Sequence, residues 1–335
     1  MANEIIVIQI RKVILDVILL NCIGWPILFL FLWGSAYQRG FFCNDTSLIH
    51  PYHESTVPSW TLYITGIALN CVVMSLTEFL NRPADKRDVY MMGVKIPNWI
   101  YNLYCVIGIF AFGAACSQLT TDVLKYTIGR LRPHFITVCK PDVCQNGSFT
   151  DYVYHEEFTC TNALFKDNAR IMKELRLSFP SGHSSFSMYT MLYFAIYLQK
   201  RMTWNGSTLL KHTLQFLGVL SAVFTACTRV SDYKHHWSDV MCGLLLGALV
   251  ASVTASLLRK NSNPHERDSY NVQKPIVGSD NSVPVINKYF VICLYFKGET
   301  FLHITKYVYL VFYNCTIFLD VIQKQSFKLV KSGPI

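Results

Sequence analysis

The sequence predicts an all-α polytopic membrane protein with six transmembrane helices. Three observations carry that reading. Only 15% of the 335 residues are charged and 52% are hydrophobic, where a soluble domain carries about 25% charged residues. Several apolar runs approach or reach the roughly 17 to 25 residues that cross a bilayer. The basic residues behind the net charge of +9 stand largely at the ends of those runs, where they set topology. That placement argues against nucleic acid as a partner.

Val13 to Trp33 is the first expected span, and Trp60 to about Leu80 the second, with Trp60 suited to the interface as an aromatic anchor. The third covers about Ile96 to Leu119 and runs into a polar extension ending at Arg132-Pro133. A mostly polar stretch from His134 to Phe179 is the longest loop between spans. The fourth span runs from His183 to about Leu198. The fifth runs from Leu214 to Cys227, short unless Leu209 and Leu210 extend it, and the sixth from about Trp237 to Leu258. Residues 1–260 thus form one six-span domain, 261–288 a polar tail without apolar periodicity, and 289–335 an apolar segment expected to lie at the interface, with a seventh span as the rival.

Arg11 and Lys12, Arg82 to Lys95, Lys200 to Lys211, and Arg259 with Lys260 share one side if six spans alternate. That side is expected to be cytoplasmic, although Lys140, Lys166, Arg170, Lys173 and Arg176 then fall outside. The sequon at Asn146 faces the outside or the lumen and is expected to carry glycan; the sequon at Asn205 does not. Cys43, Cys139, Cys144 and Cys160 lie in loops on the outer side and are able to pair there. Gly243 and Gly247 form a GxxxG in the sixth span, followed by Ala251. Packing inside the bundle is the preferred reading of that stripe, and a homo-oligomer is left open.

Three polar clusters abut span ends on the same predicted side. In Lys125-Tyr-Thr-Ile-Gly-Arg-Leu-Arg132-Pro133, two cations seven residues apart share a helix face if the helix continues, although Gly129 and Pro133 argue that it stops early. Two cations on one edge suit a phosphate. In Pro180-Ser181-Gly182-His183, Ser181 is a plausible N-cap, and a helix start offers free N–H groups and a positive dipole end to an anion. His183 then sits in the first turn, placed to exchange a proton. In Arg229-Val-Ser-Asp-Tyr-Lys-His235-His236-Trp-Ser-Asp239, a carboxylate four residues from an imidazole is able to hold one ring nitrogen as N–H and leave the other as nucleophile. His236 has no partner at that spacing and reads as structural.

Together the clusters resemble the three-part signature of the type 2 phosphatidic acid phosphatase superfamily, KxxxxxxRP, PSGH and SRxxxxxHxxxD. Gln38 to Asp45 and Thr121 to His134 further resemble the animal lipid phosphate phosphatases, and the likeness covers roughly residues 10 to 260. The signature departs from the pattern at Thr228, where the family has serine. The resemblance implies a phosphatase for lipid phosphate monoesters such as phosphatidate, lysophosphatidate, sphingosine 1-phosphate or ceramide 1-phosphate. It implies His235 as nucleophile, Asp239 as its orienting group and His183 as acid. Lys125, Arg132, Arg229 and the Ser181–Gly182 backbone then hold the phosphoryl oxygens, with no metal or other cofactor required. The resemblance also implies the plasma membrane with the site outside, or the endoplasmic reticulum or Golgi. The rivals are a catalytically silent scaffold of the same superfamily, a phosphatase for polyprenyl or sugar phosphates, and a transporter. The last fits poorly, because the charges gather at one interface and not at mid-membrane.

Overall fold

A computed structural model of the chain describes residues 5–81, 88–144, 152–165, 167–202 and 207–258. The chain divides into two units, Met1–Val272 and Gln273–Ile335, and every described residue belongs to the first. The sequons at Asn146 and Asn205, the polar tail and the apolar C-terminal segment lie outside the described residues.

Among the described residues six long helices form a bundle: α1 (Ile10–Trp33), α2 (Ser59–Leu80), α3 (Asn98–Ile128), α6 (Gly182–Arg201), α7 (Thr208–Ser231) and α8 (Trp237–Ser256). Two short helices, α4 (Phe135–Cys139) and α5 (Ala169–Glu174), lie in the loop between α3 and α6. Five of the long helices are apolar enough to cross a membrane, and α6 is the exception. The reason is position. α6 is wrapped by α2, α3, α7 and α8, so its side chains meet protein and not lipid, and they need not be apolar. Tyr189, Tyr193 and Tyr197 are fully buried along one stripe of α6. Tyr189 donates to the Phe110 carbonyl at 2.7 Å, Tyr193 to the Val106 carbonyl at 3.3 Å and Tyr197 to the Glu78 carboxylate at 3.1 Å. Spacings of four keep the three hydroxyls on one face, where they tie α6 to α3 and α2 with their rings still packed in the core.

The expected third span continues as helix into its polar extension and ends at the glycine that argues for a stop. α3 continues to Ile128 and stops at Gly129, whose φ of +58° is the left-handed cap that a glycine supplies without strain. The fifth span likewise lengthens to 24 residues as α7, capped by Ser207. The glycine stripe of α8 serves packing within the bundle. A Cβ on Gly243 would sit 2.6 Å from the Ser181 carbonyl oxygen, and one on Gly247 would meet the Ser185 carbonyl. α8 therefore lies directly on the backbone of α6, with Ala251 buried beneath the same face.

Two small sheets sit at opposite ends. At the end where α6 finishes, β1 (Ile5–Ile8) pairs in parallel with β3 (Asp88–Met91), which pairs antiparallel with β4 (Val94–Ile96). At the end where α6 begins, β2 (Phe41–Phe42) pairs antiparallel with β5 (Tyr154–His155). Disulfides Cys43–Cys144 and Cys139–Cys160 join the loops of that second end. Phe41, Leu48, Leu131, Phe135, Val138 and Leu175 pack there as a separate core. The long loop is thus a compact cap on the bundle and not a tether.

Gly247→Val should be destabilising, because the added carbons would meet α6 backbone at Ser185 and Tyr189 and the Met188 Cβ, an overpacking that costs about 1 to 3 kcal/mol. Gly108→Ala in α3, where a Cβ meets nothing within 4 Å, should be neutral. Thermal unfolding in detergent checks the pair, and equal midpoints for the two variants would contradict this packing.

Candidate functional site

The three sequence clusters converge at the end of the bundle where α3 and α7 finish and α6 and α8 begin. Ser181 caps α6 from an extended conformation, its Oγ accepting from the Ser184 N–H at 3.4 Å. The free N–H groups and positive end of the α6 dipole are left at Gly182 and His183. A Cβ on Gly182 would lie 2.9 Å from Lys125 Nζ, so the missing side chain gives the ammonium room against the helix start.

Arg132 and Arg229 are 9% and 2% exposed. Arg229 Nη1 lies 3.5 Å from Asp232 and Arg132 Nη1 lies 3.9 Å from Glu174. The buried Nε of each arginine has no hydrogen-bond partner among the described residues. Buried donors of this kind are costly unless something accepts from them, and an anion between the two guanidinium groups would do so. Burial and surrounding charge also act on the groups outside the helices. Lys234 is pushed down to about 8, first by burial and then by the charges of Arg132 and Arg229. Its ammonium lies 3.7 Å from the centre of the Tyr52 ring, a cation–π contact that partly compensates its lost water.

His235 stands in the turn before α8, one residue ahead of the N-cap His236. Its Nδ1 donates to the Ser178 carbonyl at 2.7 Å, which leaves Nε2 as the unprotonated nitrogen. Burial, and then the charges of Arg132, Arg229 and Lys125, hold its basicity well below the ordinary value of 6.5. Asp239, four residues on, comes no nearer than 4.0 Å to that Nδ1. Its carboxylate instead pairs with Arg130, accepts from Ser178 Oγ at 2.6 Å and accepts from the His236 N–H at 3.1 Å. Asp239 therefore reaches the imidazole at one remove, through Ser178, which gives its hydroxyl to the carboxylate and its carbonyl to the ring.

Lys125, Arg132, Ser181, Gly182, His183, Arg229, His235 and Asp239 are thus all at one end of the bundle. His236 is structural, its Nε2 donating to the Leu131 carbonyl at 3.2 Å. Thr228 turns its hydroxyl onto its own helix, donating to the Thr225 carbonyl at 2.7 Å. Sequence spacing missed Arg130, Ser178, Thr56 and Asp232. Arg130 lies inside the first cluster, beside the helix-ending Gly129, and that break is the signal that could have exposed it. Nothing local marks Thr56, whose partner Asp232 is 176 residues away.

A helical bundle with five helices apolar enough to cross a membrane, and with cations and histidines gathered at one end, defines the class: a polytopic membrane protein. The chain belongs to the PAP2 superfamily, whose family model matches residues 106–263. It is 48% identical over 272 residues to a Drosophila melanogaster protein named "Putative phosphatidate phosphatase", covering 76% of this chain and 71% of that one. It is 42% identical over 245 residues to phospholipid phosphatase 1 of Rattus norvegicus, covering 71% and 82%. With phospholipid phosphatase 2 of Homo sapiens it shares 41% over 246 residues, covering 72% and 81%. No solved structure matches the chain.

Two imidazoles in the cap end give stability a pH dependence. Burial first, outweighing the bond to the Tyr233 carbonyl, pushes His134 down to about 3, and His235 is lowered well below 6.5. The unfolded chain then binds protons that the folded chain refuses. Stability should be full above pH 6.5 and fall as pH drops below it, by up to about 1.4 kcal/mol per pH unit for each imidazole. His134 would stop contributing near pH 3. Unfolding midpoints of wild type and His134→Gln, read between pH 8 and pH 5, check this. The variant should show the shallower slope, and parallel slopes would refute the assignment.

Proposed function

We propose that the chain is a metal-independent lipid phosphate phosphohydrolase acting on phosphatidate, lysophosphatidate, sphingosine 1-phosphate or ceramide 1-phosphate through a phosphohistidine. The observation that carries the reading is His235, with Nδ1–H held by a carbonyl and Nε2 free, among Lys125, Arg132 and Arg229. The names of the relatives support the substrate class.

His235 Nε2 attacks phosphorus while the P–O bond to the lipid alkoxide breaks, and protonated His183 gives that alkoxide its proton. Water then attacks the phosphorus of phosphohistidine, the P–N bond breaks to return neutral His235, inorganic phosphate leaves carrying the water proton, and His183 regains its proton from solvent. The three cations and the Gly182 and His183 N–H groups hold the phosphoryl oxygens, the Ser181 N–H being taken by the Asp239 carbonyl at 3.0 Å, and so supply by fixed charge what a phosphoryl transition state requires. Asp239 and Arg130 keep Ser178 in place, and Ser178 keeps His235 in its attacking tautomer. The two disulfides on the site side support a face in an oxidising compartment, outside the cell or in the lumen. The plasma membrane is the preferred location. On this orientation Asn146 carries glycan and Asn205 does not, and a mobility shift on deglycosylation that depends on Asn205 would reverse it.

The histidines are separated by their leaving-group dependence, measured in excess chelator. His235→Ala should abolish the acid-labile phosphoenzyme trapped by rapid quench and all turnover. His183→Ala should slow phosphatidate turnover by about 10²- to 10⁴-fold, the usual worth of a general acid, yet recover part of the rate on nitrophenyl phosphate, which needs less protonation. Normal phosphoenzyme in His235→Ala would sink the nucleophile assignment, and turnover restored only by Mg²⁺ would sink metal independence.

A further inference from the structure

Residues 49–58, the segment that leads into α2, cross the site end of the bundle as a strap. One end of the strap is tied to the cap: the His50 N–H donates to the Pro133 carbonyl at 3.1 Å, and the His50 ring stacks on Tyr233 at 4.5 Å. The other end is clamped by Asp232. The Thr56 N–H donates to Asp232 Oδ2 at 2.9 Å and Thr56 Oγ1 donates to Asp232 Oδ1 at 2.7 Å. The next residue, Val57, accepts from His183 Nε2 through its carbonyl at 3.2 Å.

A carbonyl only accepts, so this bond fixes the neutral tautomer of His183 with its proton on Nε2. Nδ1 is then the atom through which protons enter and leave. Val57 has no side chain in this bond; what sets its carbonyl is the path of the strap, and Thr56, bound at both its backbone and its hydroxyl, sets that path. Asp232 also lies 3.5 Å from Arg229 Nη1, so the carboxylate that holds the strap lies beside one of the phosphate-binding cations.

We propose that Thr56, clamped by Asp232, is a positioning residue for His183, acting through the Val57 carbonyl. The inference rests on the reading of His183 as the general acid. Losing the Thr56 hydroxyl bond leaves the nucleophile, the cations and the imidazole of His183 present, but lets that ring leave the orientation protonation needs. The defect should therefore appear where leaving-group protonation matters and vanish where it does not.

The full-length protein in detergent is assayed with phosphatidate in mixed micelles and with nitrophenyl phosphate, as wild type, Thr56→Val, Thr56→Ser and His183→Ala. Thr56→Val should lower kcat on phosphatidate by about tenfold, part of a general acid's usual contribution, with KM little changed. Its rate on nitrophenyl phosphate and its phosphoenzyme level should stay near wild type, and Thr56→Ser, which keeps the hydroxyl, should restore the phosphatidate rate. If Thr56→Val fails to accumulate folded, Thr56→Ala removes the same bond without added bulk and carries the same readout. Equal losses on both substrates, or no loss on either, would overturn the proposal while leaving the acid role intact. His183→Ala losing both rates equally would overturn the acid role itself, and the strap's function with it.

Discussion

Everything at the site end of this protein follows from one electrostatic problem: keeping Lys125, Arg132 and Arg229 together, largely out of water, without neutralising them. Buried charges are tolerated when paired and hydrogen-bonded. Close pairing would also occupy the donors that a phosphate must use. The fold settles this by keeping carboxylates at the edge of reach. Glu174 is 3.9 Å from Arg132 and Asp232 is 3.5 Å from Arg229, near enough to lower the field and too far to close a bidentate pair. The buried Nε atoms of both arginines have no partner among the described residues, and on the proposed reading a doubly charged phosphate monoester would complete the arrangement.

The same economy explains why Asp239 turns away from His235. On the proposed mechanism, a carboxylate in contact with His235 would add a negative charge where the anionic substrate enters. Arg130 instead neutralises Asp239 behind the imidazole, and Ser178 passes on its orientation without its charge. His183 and His235 are then each held by a neutral backbone carbonyl, Val57 and Ser178. A carbonyl fixes a tautomer as firmly as a carboxylate does, but its position depends on the path of the chain. This gives the disulfide-tied cap a purpose beyond cover. Arg132 donates its N–H to the Leu175 carbonyl and the Ser178 N–H donates to the Arg130 carbonyl, so the path of the cap loop sets the path of the carbonyl behind His235.

The helices were legible in the sequence wherever they face lipid, because there apolarity is compulsory. α6 was legible only as a run after a helix start. Its interior position permits the serines, threonines and tyrosines that dilute its hydropathy, and the stripe of Tyr189, Tyr193 and Tyr197 has the spacing of any core stripe until its acceptors on α2 and α3 are known. The extension of α3 to Ile128 was left open by the sequence, where Lys125 counts toward a helix face and Gly129 marks the stop that the structure shows. The residues that gather at the site end could be named from the sequence because helix starts, span ends and short spacings are local. Their supports were not. Thr56 and Asp232, or Arg130 and Asp239, meet only once the chain has crossed the bundle several times, and no periodicity records such a meeting.

Thr228 marks where local pattern and geometry part. A threonine in place of serine keeps a hydroxyl, and from sequence that hydroxyl counts as a donor for phosphate. In the structure it donates to the carbonyl of Thr225, three residues back along α7, a bond that serine and threonine side chains commonly make inside helices. On the proposed reading the phosphate is then left to Lys125 Nζ against Gly182, the Nε atoms of Arg132 and Arg229 that lack a partner among the described residues, and the first N–H groups of α6. All of these are fixed by backbone or by burial. The hydroxyl at position 228 is thus spent on the helix that carries it.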